Sequence, residues 1–170
     1  LGAEFRFDTT VTGIETEADC ISGVLTDRGR VQADAYVMAL GSYTPLLARR
    51  LRLAVPGNPV KGYSVTLGIA GWNGAPQVPV LDDRRKIGIT RLGDRLRLAG
   101  TVEFAGYDLR PNRRRCDMLL EALGEVFPDW PSQAPREDWC GLRPMTPDGR
   151  PILGRSPYRN LFLNTGHGPL

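Results

Sequence analysis

Ala35-Tyr36-Val37-Met38-Ala39-Leu40-Gly41-Ser42-Tyr43-Thr44-Pro45 is the stretch that decides the fold. Its first six residues are apolar almost throughout, which predicts a strand buried on both faces, as in a covered parallel sheet. The run stops at Gly41-Ser42. Thr44 then stands where a helix cap belongs, Pro45 suits the first helical position, and Leu46, Leu47 and Leu51 make a narrow apolar face. Toward the N-terminus the chain reads as strands. Phe5 and Phe7 alternate with polar neighbours, Val11 and Ile14 follow, and the turn Asp27-Arg28-Gly29-Arg30 separates Ile21–Leu25 from a run over 31–40.

Downstream, Pro56, Gly57 and Pro59 break the chain and mark a domain crossing. Strands follow at Tyr63 to Leu67, Lys86 to Thr90 and Arg95 to Val102, the last two joined through Leu92-Gly93-Asp94 as an antiparallel hairpin. Arg95-Leu96-Arg97-Leu98 alternates strictly, so one face of that hairpin is solvated. Cys116, Leu119, Leu120, Leu123 and Phe127 recur at three- and four-residue steps, which predicts a helix over 112–127 ended by Pro128. Leu161-Phe162-Leu163 reads as a last strand. The fold class is α/β in the broad sense, a mixed α+β chain with a largely antiparallel sheet in its middle.

Composition narrows the function classes. Hydrophobic residues are 41% and charged residues 24% of the 170, enough for a packed core. Net charge is +3, and the one dense basic run, Arg113-Arg114-Arg115, reads as a solvated helix face; nucleic-acid binding calls for more clustered charge. Three cysteines with no CxxC, and a single histidine, argue against a disulfide framework and against a metal site. No apolar run reaches membrane-spanning length, and the first residues do not resemble a signal peptide. Both ends read as interruptions of something longer.

The chemistry concentrates in Trp139-Cys140-Gly141-Leu142-Arg143-Pro144-Met145-Thr146-Pro147-Asp148-Gly149-Arg150-Pro151-Ile152-Leu153-Gly154. An arginine set between a glycine and a proline, ahead of a Pro-Asp-Gly turn, has a restricted backbone. Two readings of Arg143 stand side by side: a bidentate carboxylate ligand, or a brace that ties loops together.

Gly141 to Gly149 resembles the segment before the last FAD-domain strand of the D-amino acid oxidase superfamily, and of its D-amino acid dehydrogenase branch in particular. Four further segments agree in order: Ala39 to Pro45, Lys61-Gly62-Tyr63-Ser64, Thr90 to Thr101, and Asn164-Thr165-Gly166-His167-Gly168. The resemblance spans nearly the whole chain. It implies an FAD-domain portion at 1–55, a substrate-binding domain at 56–143 and a return to the FAD domain at 144–170. It also implies hydride transfer from the α-carbon of an amino acid (a D-amino acid, or a glycine- or sarcosine-like amine) to FAD.

In the family, the arginine at the position of Arg143 pairs with the substrate carboxylate, and the resemblance implies that Lys61 and Tyr63, in the segment entering the substrate domain, line the domain junction and the substrate pocket. Gly41 and Ser42 fall beside the flavin. Gly166, His167 and Gly168 fall in the loop near its pyrimidine side, and Val11 at the adenine end of FAD. Each carries a plainer reading too: a packed tyrosine and solvated lysine, a strand-to-helix turn, an ordinary loop histidine.

Two departures stand out. The chain has no GxGxxG, the family's pyrophosphate-binding fingerprint. Ile87 or Gly88 occupies the position where oxidase branches carry a substrate tyrosine. The second departure leans toward the dehydrogenase branch, whose members pass electrons to a membrane chain. The implied setting is cytoplasmic, peripheral to the inner membrane where that acceptor is used. The chain by itself is expected to be inactive. The competing reading is a non-catalytic module, left from such an enzyme, that binds a carboxylate or a partner.

Overall fold

The computed structural model of the protein describes residues 2–168. Among them the elements run β1 Val11–Glu17, β2 Cys20–Thr26, β3 Gly29–Val31, β4 Tyr36–Met38, α1 Thr44–Arg50, β5 Asn58–Gly68, β6 Val80–Asp82, β7 Ile87–Leu92, β8 Arg95–Glu103, α2 Arg113–Val126, β9 Arg136–Met145, β10 Ile152–Arg155 and β11 Leu161–Thr165. A single-turn 3₁₀ helix, Gly41–Tyr43, links β4 to α1. The chain divides into two compact units. One takes the chain up to Asn58 and again from Pro144, and the other is Pro59–Arg143. No helix among the described residues is long and apolar enough to cross a membrane.

The first unit holds two three-stranded sheets, β1-β2-β3 and β10-β11-β4. The expected hairpin joins β2 to β3, with Thr26 opposite Gly29. β4 pairs in parallel with β11, Tyr36 to Leu161 and Met38 to Leu163, while β10 runs antiparallel to β11. Ile21, Met38, Ala48, Leu51 and Leu161 form the core.

Sequence expectations are corrected at three places in this unit. The strand over 31–40 shrinks to Tyr36–Met38, because residues 32–35 turn and the Tyr36 hydroxyl accepts a hydrogen bond from the Ala33 amide at 3.0 Å. Nor is it buried on both faces: Val37 is 63% exposed. Thr44 does not cap α1. It is the first helical residue, fully buried, and its hydroxyl donates to Thr165 at 3.1 Å; of the expected apolar face, Leu51 lies in the core and Leu47 packs against it, while Leu46 is exposed and Thr44, Pro45 and Ala48 are buried instead. Phe5 and Phe7 belong to no strand; their exposed rings stack on each other.

The second unit is a five-stranded sheet in the order β6-β7-β8-β5-β9. β5 and β7 both run antiparallel to β8, and β6 runs antiparallel to β7. The turn Gly93-Asp94 closes β7 onto β8 with Gly93 at φ +65°, a conformation glycine adopts without a Cβ penalty. Asn112 caps α2 by accepting from the Arg114 amide at 3.1 Å. The helix lays Cys116, Leu119, Ala122 and Leu123 on one sheet face, against Tyr63, Val65, Leu67, Ile87, Ile89, Leu96, Leu98 and Cys140. Arg95 and Arg97 alternate to the other face, as the sequence predicts. Of the basic run, Arg113 and Arg114 are solvated, but Arg115 turns inward to Glu103.

Candidate functional site

Alternation along β9 sorts its side chains. Cys140 enters the core under α2, and Arg136 bonds Asp117 of α2 at 2.8 Å, so the even positions face the helix. Glu137, Trp139, Gly141 and Arg143 therefore share the opposite face. Glu137 is engaged there by Arg95. Arg143 is exposed, and among the described residues no side chain or backbone group pairs with its guanidinium. Of the two readings left open by the sequence, a brace requires partners; an arginine with five unshared donors is free to fork onto a planar anion.

In the first unit the carboxyl ends of β4 and β11 lie side by side, because the two strands are parallel neighbours. The turn at Gly41-Ser42 and the loop at Gly166 follow directly. A relay of hydroxyls ties them together: Thr44 donates to Thr165, and Thr165 donates to the Gly41 carbonyl at 3.1 Å. Gly41, Ser42 and Gly166 line one small crevice with Pro45, Pro144 and Thr146. Gly166 sits at φ +81°, and a Cβ there would come 2.7 Å from the Thr146 methyl. A Cβ on Gly168 would overlap the Met145 sulfur. Both glycines thus let the backbone lie close against the Pro144–Thr146 segment. His167 between them is half-buried. Val11 stands elsewhere in the unit, on a separate apolar groove with Ile14, Val24, Val37, Leu40 and Leu47.

Lys61 and Tyr63 lie on the helix side of the second unit's sheet, not on the face that carries Arg143. Lys61 is 1% exposed. Its ammonium donates to the Arg110 carbonyl at 2.6 Å and lies 3.4 Å from Glu103 and 5.4 Å above the Tyr63 ring. The Tyr63 hydroxyl donates to Glu103. Arg115 completes the cluster, donating to Glu103 at 2.9 Å and to the Thr101 hydroxyl at 2.6 Å. Thr101 sits at φ +52°, beside the register shift opposite Gly62 and Tyr63; a β-branched residue in the left-handed region marks a bulge held by its surroundings.

The electrostatics follow from these contacts. Burial and the bond to Glu103 raise the Tyr63 phenol. Glu103 is lowered by its bonds to Tyr63, Arg115 and Lys61, against its partial burial. For Lys61, burial pulls downward, yet its contacts with Tyr63, Glu103 and Asp108 prevail and the ammonium is raised. Glu103 carried no sequence signal, and Arg115 was read only as part of a solvated basic run. A strand bulge and a helix start bring them, with Thr101, against Lys61 and Tyr63.

The chain as a whole is similar to known proteins. Residues 1–170 match the DAO family, described as FAD dependent oxidoreductase. The chain belongs to that family. Its DAO relatives include the D-amino acid dehydrogenase of Granulibacter bethesdensis, 50% identical over 169 residues, 99% of this chain and 40% of that protein. The D-amino acid dehydrogenase of Rhodopseudomonas palustris is 48% identical over 172 residues, 100% of this chain and 40% of that protein. The chain therefore spans about two-fifths of the length of the curated relatives it matches.

Among solved DAO structures, glycine oxidase from Geobacillus kaustophilus superposes with a TM-score of 0.78 at 30% identity, covering 94% of this chain and 43% of that one. Iminodiacetate oxidase from Chelativorans sp. BNC1 gives a TM-score of 0.80 at 26% identity, covering 92% and 43%. DAO proteins depend on FAD. The turn at Gly41-Ser42 and the loop at Gly166–Gly168 both follow the carboxyl ends of parallel strands, where open sheets hold ligands.

Proposed function

We propose that this chain is the part of an FAD-dependent amino-acid dehydrogenase that holds the substrate carboxylate and one end of the flavin. The observation that carries the reading is Arg143: exposed, unpaired among the described residues, and fixed on a strand between Gly141 and Pro144. The unit Pro59–Arg143 is the substrate side. The unit built from the chain up to Asn58 and from Pro144 is the flavin side, with Gly41, Ser42, Gly166, His167 and Gly168 against the cofactor. When bound, the flavin accepts hydride from the α-carbon. The chain's own residues bind and orient: Arg143 forks onto the carboxylate and fixes which face of the α-carbon is presented. Lys61 and Tyr63 support the sheet from behind through Glu103 rather than touching substrate. Val11 belongs to the adenine end of FAD. The substrate is a D-amino acid, in keeping with the names of the relatives at 50% and 48% identity.

The test is Arg143→Ala in the flavin-loaded full-length enzyme. KM for a D-amino acid rises about a hundredfold, the loss of a charge-assisted fork, while flavin content per chain is unchanged. Loss of flavin with KM retained refutes the assignment. Arg143→Lys recovers part of the affinity, since an ammonium keeps the charge and loses the fork.

A further inference from the structure

Trp139 lies two same-face positions from Arg143 on β9, with Gly141 between them. Its side chain does not stand straight out from the strand. A Cβ built on Gly141 would overlap the far edge of the Trp139 six-membered ring and would lie 2.7 Å from its Cζ2 atom. The indole is therefore folded down over Gly141, in the direction of Arg143. Consecutive same-face positions on a strand are roughly 7 Å apart, so the ring ends about one such step from the arginine. Trp139 is 56% exposed. A large apolar ring lying open beside an unpaired guanidinium makes a two-part surface, one part for an anion and one for an apolar group joined to it.

We propose that Trp139 is a specificity-determining residue: with a carboxylate on Arg143, the substrate's side chain packs on the indole, and Gly141 holds the ring in place by leaving it room. This rests on the carboxylate reading of Arg143 and adds the class of substrate, amino acids with large apolar or aromatic side chains over small ones. Gly141 is the only residue type that leaves room for this ring pose. The clash is with the free end of the tryptophan, so a methyl at position 141 swings the ring away and leaves the sheet intact.

The flavin-loaded full-length enzyme is assayed with D-alanine and D-phenylalanine. Binding of their non-oxidisable counterparts, propionate and 3-phenylpropionate, is followed by calorimetry. In the unmodified protein, 3-phenylpropionate binds about tenfold more tightly than propionate, the scale of one aromatic contact. Trp139→Ala and Gly141→Ala each collapse that ratio toward one and raise KM for D-phenylalanine about tenfold, with D-alanine changed less than about twofold. Trp139→Phe keeps most of the preference. Arg143→Ala weakens both acids by the same factor and leaves their ratio intact.

A ratio that survives Trp139→Ala overturns the proposal while leaving the Arg143 reading standing. Unchanged binding of both acids in Arg143→Ala overturns the carboxylate reading, whatever the ratio does. Should Trp139→Ala weaken both acids equally, or lower the flavin content, the indole is a structural residue and the proposal also fails.

Discussion

Gly166 shows how much one residue carries. Its φ of +81° is open to glycine and costly to any residue with a Cβ, and the Thr146 methyl fills the space beside it. Gly166→Ala is expected to cost about 1–3 kcal/mol of folding stability, seen as a lower chemical-denaturation midpoint. Cys116 behaves oppositely, as an inert core group. Burial is the main cause that pushes its thiol up to about 11, with the charge of Asp138 adding to it. An acid whose folded value is raised stabilises the fold through its neutral form. That contribution is intact below the ordinary thiol value of 9.0 and is lost between pH 9.0 and about 11, as the unfolded chain releases its proton first. Stability in that window falls less steeply in Cys116→Ala than in the native protein. In the native state a thiol reagent at pH 8 labels Cys20 quickly and spares Cys116 and Cys140, which are both buried. The sequence showed the three cysteines but not which of them was enclosed.

Elements were legible where periodicity was strong. α2 begins and ends within a residue of its expected bounds, because Asn112 caps it, Pro128 stops it and its apolar stripe fits one side of a helix. Leu119, fully buried at its centre, meets both β-sheet and helix neighbours; Leu119→Ala costs about 2–5 kcal/mol in the same denaturation measurement. The β7–β8 hairpin was legible from strict alternation and a Gly93 turn. β4 was not. Six apolar residues in a row predict a long strand buried on both faces, yet only three residues pair, and Val37 lies open. Apolar character says that a segment seeks cover; it does not say how many residues find a hydrogen-bonding neighbour. Thr44 misled for a similar reason. A threonine before a proline reads as a cap, but Thr165 on a distant strand claims its hydroxyl.

At the scale of the whole molecule, the cluster of Lys61, Tyr63, Glu103 and Arg115 links β5, the β8 bulge and the start of α2. Removing the carboxylate charge leaves a buried ammonium short of its counter-charge, so Glu103→Gln lowers the thermal midpoint, while Lys61→Met in the same background restores part of it. The sign with pH follows from Glu103 being lowered in the folded state, chiefly by the Tyr63 hydroxyl. Its contribution is present above the ordinary glutamate range and is lost as pH falls through the folded value. Acid unfolding of Glu103→Gln is accordingly shallower than that of the native protein, which a pH-jump titration of circular dichroism reads directly.

Sequence alone determined the mixed α+β class, the change of character near Pro56–Pro59 and the arginine framed by Gly141 and Pro144. Each depends on local pattern or on residue types that restrict their own backbone. Tertiary structure decided which face of the sheet each side chain takes. It put Lys61 and Tyr63 behind the sheet, Arg143 in front and Trp139 folded over Gly141. A strand's pleat separates neighbours by one residue, and only the packing of α2 on one face determines which set is enclosed.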